Sequence, residues 1–536
     1  MVQGFLFQKT LENENLLLFV VSVKSTRVRS GAFCYSKNMK RILIKHIKEE
    51  ALDKAIEHQV YHNYLEIDYQ KNIRRINNPL PKIVKKPEEW NLDRKFNPFY
   101  VLKRTEQIAS SISRKLLNKT YEPNKPFQKE IPKKGGGIRT ISVYQIPDSA
   151  VSDLFYHNLL SKNKHRFSSF SYAYRNDRNV HFAIQDIAHE LNSTNRIFVA
   201  EFDFSNFFGS ISHEYLLSQL KENAFLISEL ETYVIKSFLK PQPKGIPLGT
   251  SISLFLANVA CWRLDRNLED EGIRFARYAD DTIIWSKDYS KISIAYDIIA
   301  DFSKKTGIEL NYKKSDGISL LQKRGLQSEF KNTKEYVEFL GYKISCESIG
   351  IKDASVKKIK KQISFLLFRN LIQPIRSIPF KAMNVPANNM DKDLLTAIMQ
   401  IRRYLYGNMT EMTLKKYLNG TYKRLKFKGI MSFYPLVNDE NQMLELDKWL
   451  VSTIMNVLKK RKKLLLAYNP NFNINQFPFN CDKDKFIDYC RTEKIYNKKA
   501  LMQIPSFLRI HRAIKLGLTT EGIVRILNPD SLNYYE

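Results

Sequence analysis

Two adjacent carboxylates, Asp280 and Asp281, lie between two short apolar runs in the segment 274–285, which reads Arg-Phe-Ala-Arg-Tyr-Ala-Asp-Asp-Thr-Ile-Ile-Trp. The apolar runs predict two short buried strands joined by a tight turn. Two like charges on one turn repel each other unless cations lie nearby. The pair therefore indicates either a cation site or, because Asp is a common turn residue, an ordinary hairpin.

A third carboxylate, Asp203, follows the apolar run 197–202, which predicts a strand with Asp203 at its carboxyl end. Bulky aromatic residues come directly after it, among them Phe204 and Phe208. A carboxylate that ends an apolar strand beside aromatic rings is a candidate metal ligand next to a pocket for a sugar.

Two glycine-containing segments could approach a bound nucleotide. Residues 132–143 carry three glycines between Lys134 and Arg139 and continue as an alternating strand. This pattern fits a hairpin that wraps a triphosphate, although it is also typical of a solvated turn. In the segment 244–258 a Gly/Pro turn that includes Gly249 precedes a helix of small and apolar residues, which Thr250 or Ser251 can cap.

Other patterns allow two interpretations. The aromatic and basic segment 170–175 suits base stacking in a template channel, and core packing explains its rings equally well. The lysine-rich runs 357–361 and 459–463 are either solvated helix faces or phosphate contacts.

The overall charge favours a polyanionic partner. Lys and Arg number 86 against 55 Asp and Glu, which gives a formal net charge of +31. Nucleic acid is the default partner for such an excess, and a general contribution to solubility is the alternative. The five cysteines are scattered without zinc-site spacing, and the apolar run 16–23 is too short to span a bilayer and predicts a buried strand. These features predict a cytoplasmic protein with reduced thiols and no membrane partner.

Taken in order, the motifs resemble those of the reverse transcriptase family of right-hand polymerases over roughly residues 95 to 345. They are Arg139, Tyr-Ala-Tyr-Arg at 172–175, Asp-Phe-Ser-Asn-Phe-Phe at 203–208, Gly-Ile-Pro-Leu-Gly-Thr-Ser at 245–251, Tyr-Ala-Asp-Asp at 278–281, the Gly-x-x-Leu-Asn-x-x-Lys-Ser stretch at 307–315, and Phe-Leu-Gly-Tyr at 339–342.

The resemblance implies an α+β fold with four parts. We expect an N-terminal extension at 1–95, a fingers and palm region with an antiparallel sheet at 96–350, a helical thumb-like region at 351–470, and a C-terminal helical extension at 471–536.

The resemblance also assigns roles to residues. Asp203, Asp280 and the backbone of Phe204 would hold two Mg²⁺ ions, with Asp281 supporting the turn and the metals. The remaining assignments are a grip on the incoming triphosphate by Arg139 with Lys133 or Lys134, exclusion of a ribose 2′-hydroxyl by Phe208, close approach of the nucleotide at Gly249, proton donation to pyrophosphate by Lys314, and a primer-gripping hairpin at Phe339, Leu340 and Gly341.

The function implied is RNA-directed DNA synthesis from deoxynucleoside triphosphates on an RNA template. Leu248 stands where many relatives carry Gln, and the signatures of retron enzymes are missing. Length and helical C-terminal region are similar to the bacterial defence-associated and abortive-infection group, related to retron enzymes, which implies antiphage defence with a cognate noncoding RNA.

Two alternatives stay open at this point: a template-independent or protein-primed DNA polymerase that starts from a tyrosine hydroxyl, and an RNA-binding, maturase-like protein without polymerase activity. The oligomeric state is also open, because basic helical surfaces can hold either RNA or a second copy of the chain.

Overall fold

The computed structural model describes residues 28–75, 81–132, 136–312, 315, 317–376, 391–422, 424–495, 498–499 and 501–532. Strands and helices are mixed up to residue 351, and helices predominate after it. The predicted α+β class and the helical C-terminal region are therefore confirmed.

The strands in the described residues are β1 (Phe127–Pro132), β2 (Ile138–Val143), β3 (Arg196–Phe202), β4 (Arg274–Tyr278), β5 (Asp281–Ser286), β6 (Ile318–Gln322), β7 (Thr333–Lys334), β8 (Val337–Phe339), β9 (Tyr342–Ile344), β10 (Ile349–Ile351), β11 (Lys494–Ile495) and β12 (Lys498–Lys499). The helices up to residue 306 are α1 (Val28–Arg75), α2 (Pro98–Leu117), α3 (Ile146–Asn163), α4 (Val180–Leu191), α5 (Phe207–Ser210), α6 (His213–Glu222), α7 (Glu229–Leu239), α8 (Ser251–Ala260), α9 (Trp262–Asp270) and α10 (Tyr289–Thr306). The later helices are α11 (Asp353–Leu367), α12 (Gln373–Arg376), α13 (Lys392–Tyr406), α14 (Glu411–Leu418), α15 (Glu440–Tyr468), α16 (Lys483–Thr492), α17 (Phe507–Glu521), α18 (Ile523–Ile526) and α19 (Pro529–Leu532). Short 3₁₀ turns lie at Glu88–Asn91, Arg94–Phe96, Lys164–Arg166 and Ile430–Phe433, and a π-helical turn lies at Phe368–Ile372.

A five-stranded sheet in the order β4-β5-β3-β6-β7 forms the centre of the molecule. Its first four strands are antiparallel, and β7 joins β6 in parallel. Alternate residues of the strands point to opposite faces. Along β5, Ile283 and Trp285 belong to one hydrophobic core while Ile284 belongs to another. The sheet is therefore covered on both faces, which explains the apolar runs in the middle of β3 and β5.

The long helix α1 packs along α2 and α3. Its buried residues Met39, Leu43, Ile47 and Ala51 recur every four positions and join the core that covers one face of the sheet. The strand predicted at 16–23 lies outside the described residues. The division of the chain at residue 95 stays a prediction.

The start of α8 differs from the sequence expectation in one detail. Thr250 occupies the position before the helix, but its own side chain makes no capping bond and its hydroxyl bonds instead to the hydroxyl of Ser152 on α3. The Ile252 amide donates to Ser152 Oγ at 2.9 Å. The cap therefore comes from a neighbouring helix, which a local pattern does not contain.

In the helical region, one part of the basic run 459–463 is not a solvated or phosphate-facing surface as predicted. Arg461 is fully buried and pairs with Asp391 at 3.1 Å and Asp393 at 3.3 Å. Its place on α15 follows the buried positions Ile454, Leu458 and Leu465 rather than the charge of its neighbours. None of the described helices is long and apolar enough to cross a membrane.

Candidate active site

The sheet brings the three predicted carboxylates to one edge. Strand β3 pairs with β5 so that Phe202 lies opposite Thr282, and Asp203 follows directly after Phe202. Strands β4 and β5 pair Tyr278 with Asp281 and leave Ala279 and Asp280 as a two-residue turn. Asp203 is 9% exposed, Asp280 is half-buried and Asp281 is exposed. The predicted tight turn is confirmed.

The turn that carries Asp280 is held by a buried arginine. Ala279 has a φ of +59°, a left-handed conformation that a non-glycine residue adopts at a cost of about 1 kcal/mol or more. Arg277 Nη1 donates to the Ala279 carbonyl at 3.0 Å and so fixes the backbone just before Asp280.

The Arg277 side chain is 1% exposed and is paired with Asp265 on α9. Its Nε and Nη2 atoms donate to the two carboxylate oxygens, each at 2.6 Å, which is the bidentate geometry of a strong ion pair. Burial by itself would lower the pKa of Arg277, but the Asp265 carboxylate holds that pKa above its ordinary value. Nη2 also donates to Ser171 Oγ at 2.7 Å, so one side chain ties the hairpin to α9 and to the segment 170–175.

Asp203 is oriented by residues of the motif at 307–315, the motif that also contains Lys314. Phe204 forms an isolated antiparallel bridge with Leu310. The Asn311 amide group Nδ2 donates to Asp203 Oδ2 at 2.8 Å, and the Asn311 backbone amide donates to the Asp203 carbonyl at 2.8 Å. Asn311 lies in the motif at 307–315, which predicted no role for it. Its signal was the chemistry of an amide, which can donate to a carboxylate.

The residues at this edge offer oxygen ligands of the kind that Mg²⁺ takes. Among the described residues, no three His, Cys, Asp or Glu side chains group closely enough to hold a metal. Mg²⁺ is usually bound by one or two carboxylates together with substrate phosphates and water. The two bonds of the Phe204 bridge use the carbonyl oxygens of Asp203 and Glu309, not that of Phe204. Asp203, Asp280 and the Phe204 carbonyl are therefore a chemically suitable set of hard oxygen ligands.

Three predicted nucleotide contacts lie on backbone segments that are joined to one another. The Ser142 amide on β2, the strand of Arg139, donates to the Leu248 carbonyl at 2.7 Å, and the Ile246 amide donates to the Phe208 carbonyl at 2.7 Å. Gly249 has a φ of +111°, and a Cβ there would lie 2.6 Å from the Ser142 carbonyl oxygen. A side chain at Gly249 would thus push β2 away. Arg139 itself is exposed, and Lys133, Lys134 and Lys314 lie outside the described residues.

The predicted primer-gripping residues form a hairpin. Strands β8 and β9 pair Phe339 with Tyr342, and Leu340 and Gly341 make the turn with φ values of +46° and +83°. Phe339 and Leu340 belong to the same hydrophobic core as Ala279. The hairpin and the carboxylate turn therefore share packing on one face of the sheet.

The segment 170–175 divides between the two interpretations. Tyr172 is fully buried and donates to Asp186 at 2.5 Å, and Arg175 is 5% exposed and pairs with Asp177. These two residues are part of the core. Tyr174 is only half-buried, and its ring contacts that of Phe208 at a centroid distance of 6.4 Å.

Comparison with known proteins agrees with this geometry. Residues 131–344 match the family described as reverse transcriptase (RNA-dependent DNA polymerase). Protein YkfC of Escherichia coli (strain K12) is 24% identical over 166 residues, which cover 29% of this chain and 44% of that protein. The chain thus spans less than half the length of this curated relative.

Similar solved structures include telomerases of yeasts. Telomerase from Candida albicans, in complex with a TWJ fragment of telomeric RNA, is 13% identical and has a TM-score of 0.34, with 75% of this chain and 70% of that chain covered. Apo telomerase from Candida tropicalis is 12% identical and also has a TM-score of 0.34, with 88% and 68% covered. The match of the family over residues 131–344 is independent of these distant likenesses, and we refer to this segment by that match as the reverse transcriptase domain.

Proposed function

We propose that the chain is an RNA-directed DNA polymerase that extends a primer with deoxynucleotides by two-metal nucleotidyl transfer. The observation that supports this proposal is the strand register, in which Asp203 follows the Phe202–Thr282 pair and Asp280 and Asp281 lie in the turn that leads into the same neighbouring strand, within the segment that matches the reverse transcriptase family. An RNA-binding protein without polymerase activity would have no evident use for these three carboxylates in a basic chain.

Each residue of the site has a separate task in this mechanism. Two divalent cations bound by the carboxylates would activate the primer hydroxyl and stabilise the departing pyrophosphate. Asn311 keeps the Asp203 carboxylate in one orientation, and Arg277 keeps the backbone before Asp280 fixed. The exposed guanidinium of Arg139 is free of the core and matches the geometry of a triphosphate. Phe208 provides an aromatic ring against the sugar.

The formal charge of +31 supports an RNA template as the polyanionic partner. We extend the proposal to antiphage defence with a cognate noncoding RNA, on the support of the order of the motifs and of the long helical region beyond residue 352. In cells that carry the gene and its flanking sequence, Asp203→Asn should abolish any reduction in phage plaque number. Plaque reduction that survives this substitution would contradict a defence role through DNA synthesis.

The catalytic proposal is tested by primer extension on a poly(rA) template with an oligo(dT) primer, Mg²⁺ and labelled dTTP. Asp203→Asn keeps the shape of the side chain but removes the charge that binds a cation, so we expect incorporation to fall by about a thousandfold or more. Asp288→Asn is the matched control, because Asp288 is an exposed carboxylate that caps α10 away from the site.

RNA binding by the same proteins should be unchanged, since only the cations depend on Asp203. Equal incorporation by the wild type and Asp203→Asn would refute the two-metal mechanism. A wild type that binds RNA but makes no DNA would favour a binding function, and product that stays attached to protein after denaturation would favour protein priming.

A further inference from the structure

Tyr174 is one of five non-glycine residues with a positive φ in the described part of the reverse transcriptase domain. It has a φ of +60°, in the left-handed region that residues with a Cβ rarely adopt. Strained conformations of this kind persist only where the surrounding structure fixes them, and they are concentrated at functional sites. The contacts on both sides of Tyr174 show how it is fixed.

The backbone around Tyr174 is held on each side by side chains from other elements. Asn258 Nδ2 on α8 donates to the Ala173 carbonyl at 2.9 Å, and Tyr156 Oη on α3 donates to the Tyr174 carbonyl at 3.2 Å. On the other side, Arg175 Nη1 donates to the Ser168 carbonyl at 2.6 Å. The chain therefore has little freedom to relax residue 174 into an ordinary conformation.

The left-handed backbone changes where the Tyr174 ring lies. In an extended strand, residues two apart share a face, so Tyr174 would follow the fully buried Tyr172 into the core. The positive φ breaks this alternation. The Tyr174 ring is partly buried against both hydrophobic cores and meets Phe208 edge to face, with 6.4 Å between centroids and 81° between planes.

The Phe208 ring contacts two other aromatic rings, those of Tyr174 and Phe207. The Phe207 ring also meets the Phe208 ring edge to face, with 5.6 Å between centroids and 80° between planes. Edge-to-face pairs of this geometry are attractive beyond the area that they bury. Because Phe208 is only half-buried, the core alone does not fix its rotamer, and the Tyr174 ring supplies a further wall.

We propose that Tyr174 is a positioning residue that sets the Phe208 ring against the sugar of the incoming nucleotide, and so controls the preference for deoxyribose over ribose. This inference rests on the proposed function. In this proposal Tyr174 affects sugar specificity through its contact with the Phe208 ring.

The test compares kcat/KM for dTTP and for UTP on poly(rA) with an oligo(dT) primer. In Tyr174→Leu, which removes the ring, we expect the ratio of dTTP to UTP to fall by about tenfold, through better use of UTP, while kcat for dTTP changes by less than about threefold. Tyr174→Phe keeps the ring and should retain the wild-type ratio within about twofold. Tyr289→Leu is the control, because Tyr289 packs on Phe198 and Phe330 and not on Phe208.

A double-mutant cycle shows whether Tyr174 acts through Phe208. In a Phe208→Leu background, where the ring is already absent, Tyr174→Leu should cause no further loss of discrimination. Independent losses that multiply would overturn the proposal, and so would an unchanged ratio in Tyr174→Leu.

Folding is checked by thermal unfolding of every variant. If Tyr174→Leu does not fold, Tyr174→Asn gives the same test, because Asn tolerates the left-handed backbone and lacks the ring. A wild type that makes no DNA would refute the proposed function together with this inference. An active wild type whose ratio survives the loss of the ring would refute this inference alone.

Discussion

The reverse transcriptase domain and the helical region each contain a buried, ion-paired arginine. The two arginines differ in the backbone carbonyl to which each one donates. Arg277 is 1% exposed and pairs with Asp265, and Arg461 is fully buried and pairs with Asp391. Each makes a further bond to a backbone carbonyl. For Arg277 the acceptor is Ala279, next to Asp280, whereas for Arg461 it is Leu371 in the π-helical turn at Phe368–Ile372. Both arginines are buried and ion-paired, Arg277 with one carboxylate and Arg461 with a second one at Asp393, and the backbone acceptor is what distinguishes their places relative to the site.

The difference matters because a buried ion pair is weak support for a functional role. Taking two charges out of water costs nearly as much as their attraction returns, so such pairs are seen at structural and catalytic places alike. What links Arg277 to chemistry is the left-handed turn that it holds, since that turn sets the place of Asp280.

The largest effect should come from replacing these arginines. Arg277→Met and Arg461→Met each leave a buried carboxylate without its partner, so each should lower the free energy of unfolding by about 3–5 kcal/mol, as measured by denaturant titration. Primer extension per folded molecule should fall by about a hundredfold in Arg277→Met, because a small displacement of a catalytic group has that effect. Arg461→Met should stay within about threefold of the wild type.

Equal activity losses in the two variants would contradict this contrast. They would mean that either substitution disturbs the whole molecule. The bond from Arg277 to the Ala279 carbonyl would then have no specific effect on activity. Activity should be normalised to the folded fraction, which circular dichroism in the same buffer gives.

A second contrast lies within the domain, between two asparagine side chains. Asn311 orients Asp203, whereas Asn332 donates to the Ile318 carbonyl at 2.7 Å and to Ser319 Oγ at the edge of the sheet. Residues that orient a metal ligand typically contribute about 10–100-fold to activity, so Asn311→Ala should lose that much primer extension. The loss should be smaller at saturating Mg²⁺ if Asn311 acts through the metal.

Asn332→Ala is the matched control and should leave incorporation within about twofold, because its amide only closes a strand edge. Loss of activity in Asn332→Ala equal to that in Asn311→Ala would show that the sheet as a whole, and not the orientation of one carboxylate, sets the rate.

The junction between the two regions contains a histidine that should make stability depend on pH. His181 on α4 contacts Tyr342 Oη at 3.1 Å and the Ser531 carbonyl at 2.7 Å. Burial lowers the pKa of His181 to about 4, against the small opposing effect of the Ser531 carbonyl. The unfolded chain therefore binds more protons than the folded chain between about pH 4 and 6.5, and stability is lost as the pH falls through that window.

Between pH 7.5 and 5.0 this one group should cost about 2 kcal/mol of the free energy of unfolding. Glu50 contributes with the opposite sign, because burial raises its pKa to about 7. The measurement is accordingly the difference between the wild type and His181→Gln at the two pH values. A pH dependence that is the same in both proteins would contradict the assignment to His181.

The sequence predicted the parts of the site that follow from local pattern. The apolar runs around Asp280 and the strand before Asp203 are visible in any window of ten residues, and both are found as predicted. Three other features depend on partners that lie 70 to 108 positions away in the chain. They are the capping of α8 by Ser152, the ion pair of the buried Arg461 with Asp391, and the bond from Asn311 to Asp203. No periodicity encodes such partners, because their effect depends on how the elements pack.

The segment 170–175 shows the same limit within six residues. Its composition allows base stacking or core packing, and the choice depends on backbone torsions that composition does not specify. Tyr172 and Arg175 are in the core, whereas the positive φ of Tyr174 takes its ring to Phe208. One unusual torsion thus separates two tyrosines that the sequence cannot tell apart.

The smallest effect should come from the C-terminal half of α1, where the two regions also meet. Arg369 on the π-helical turn donates to Tyr64 Oη at 2.8 Å, pairs with Asp68, and lies over the Tyr64 ring at 5.4 Å. Asp68 is partly exposed, so water screens this contact, and Arg369→Ala should lower the free energy of unfolding by about 1 kcal/mol or less.

The other half of α1 provides the contrast, because Leu43 is fully buried in the core with α2 and α3. Leu43→Ala should cost about 2–5 kcal/mol through lost packing and a cavity. If Arg369→Ala lowers the free energy of unfolding as much as Leu43→Ala does, the contact between α1 and the helical region stabilises the protein as much as the packing of α1 in the core. If the two differ as expected, α1 belongs to the core of the reverse transcriptase domain, and its polar contact with the helical region is weak and can break while the domain stays folded.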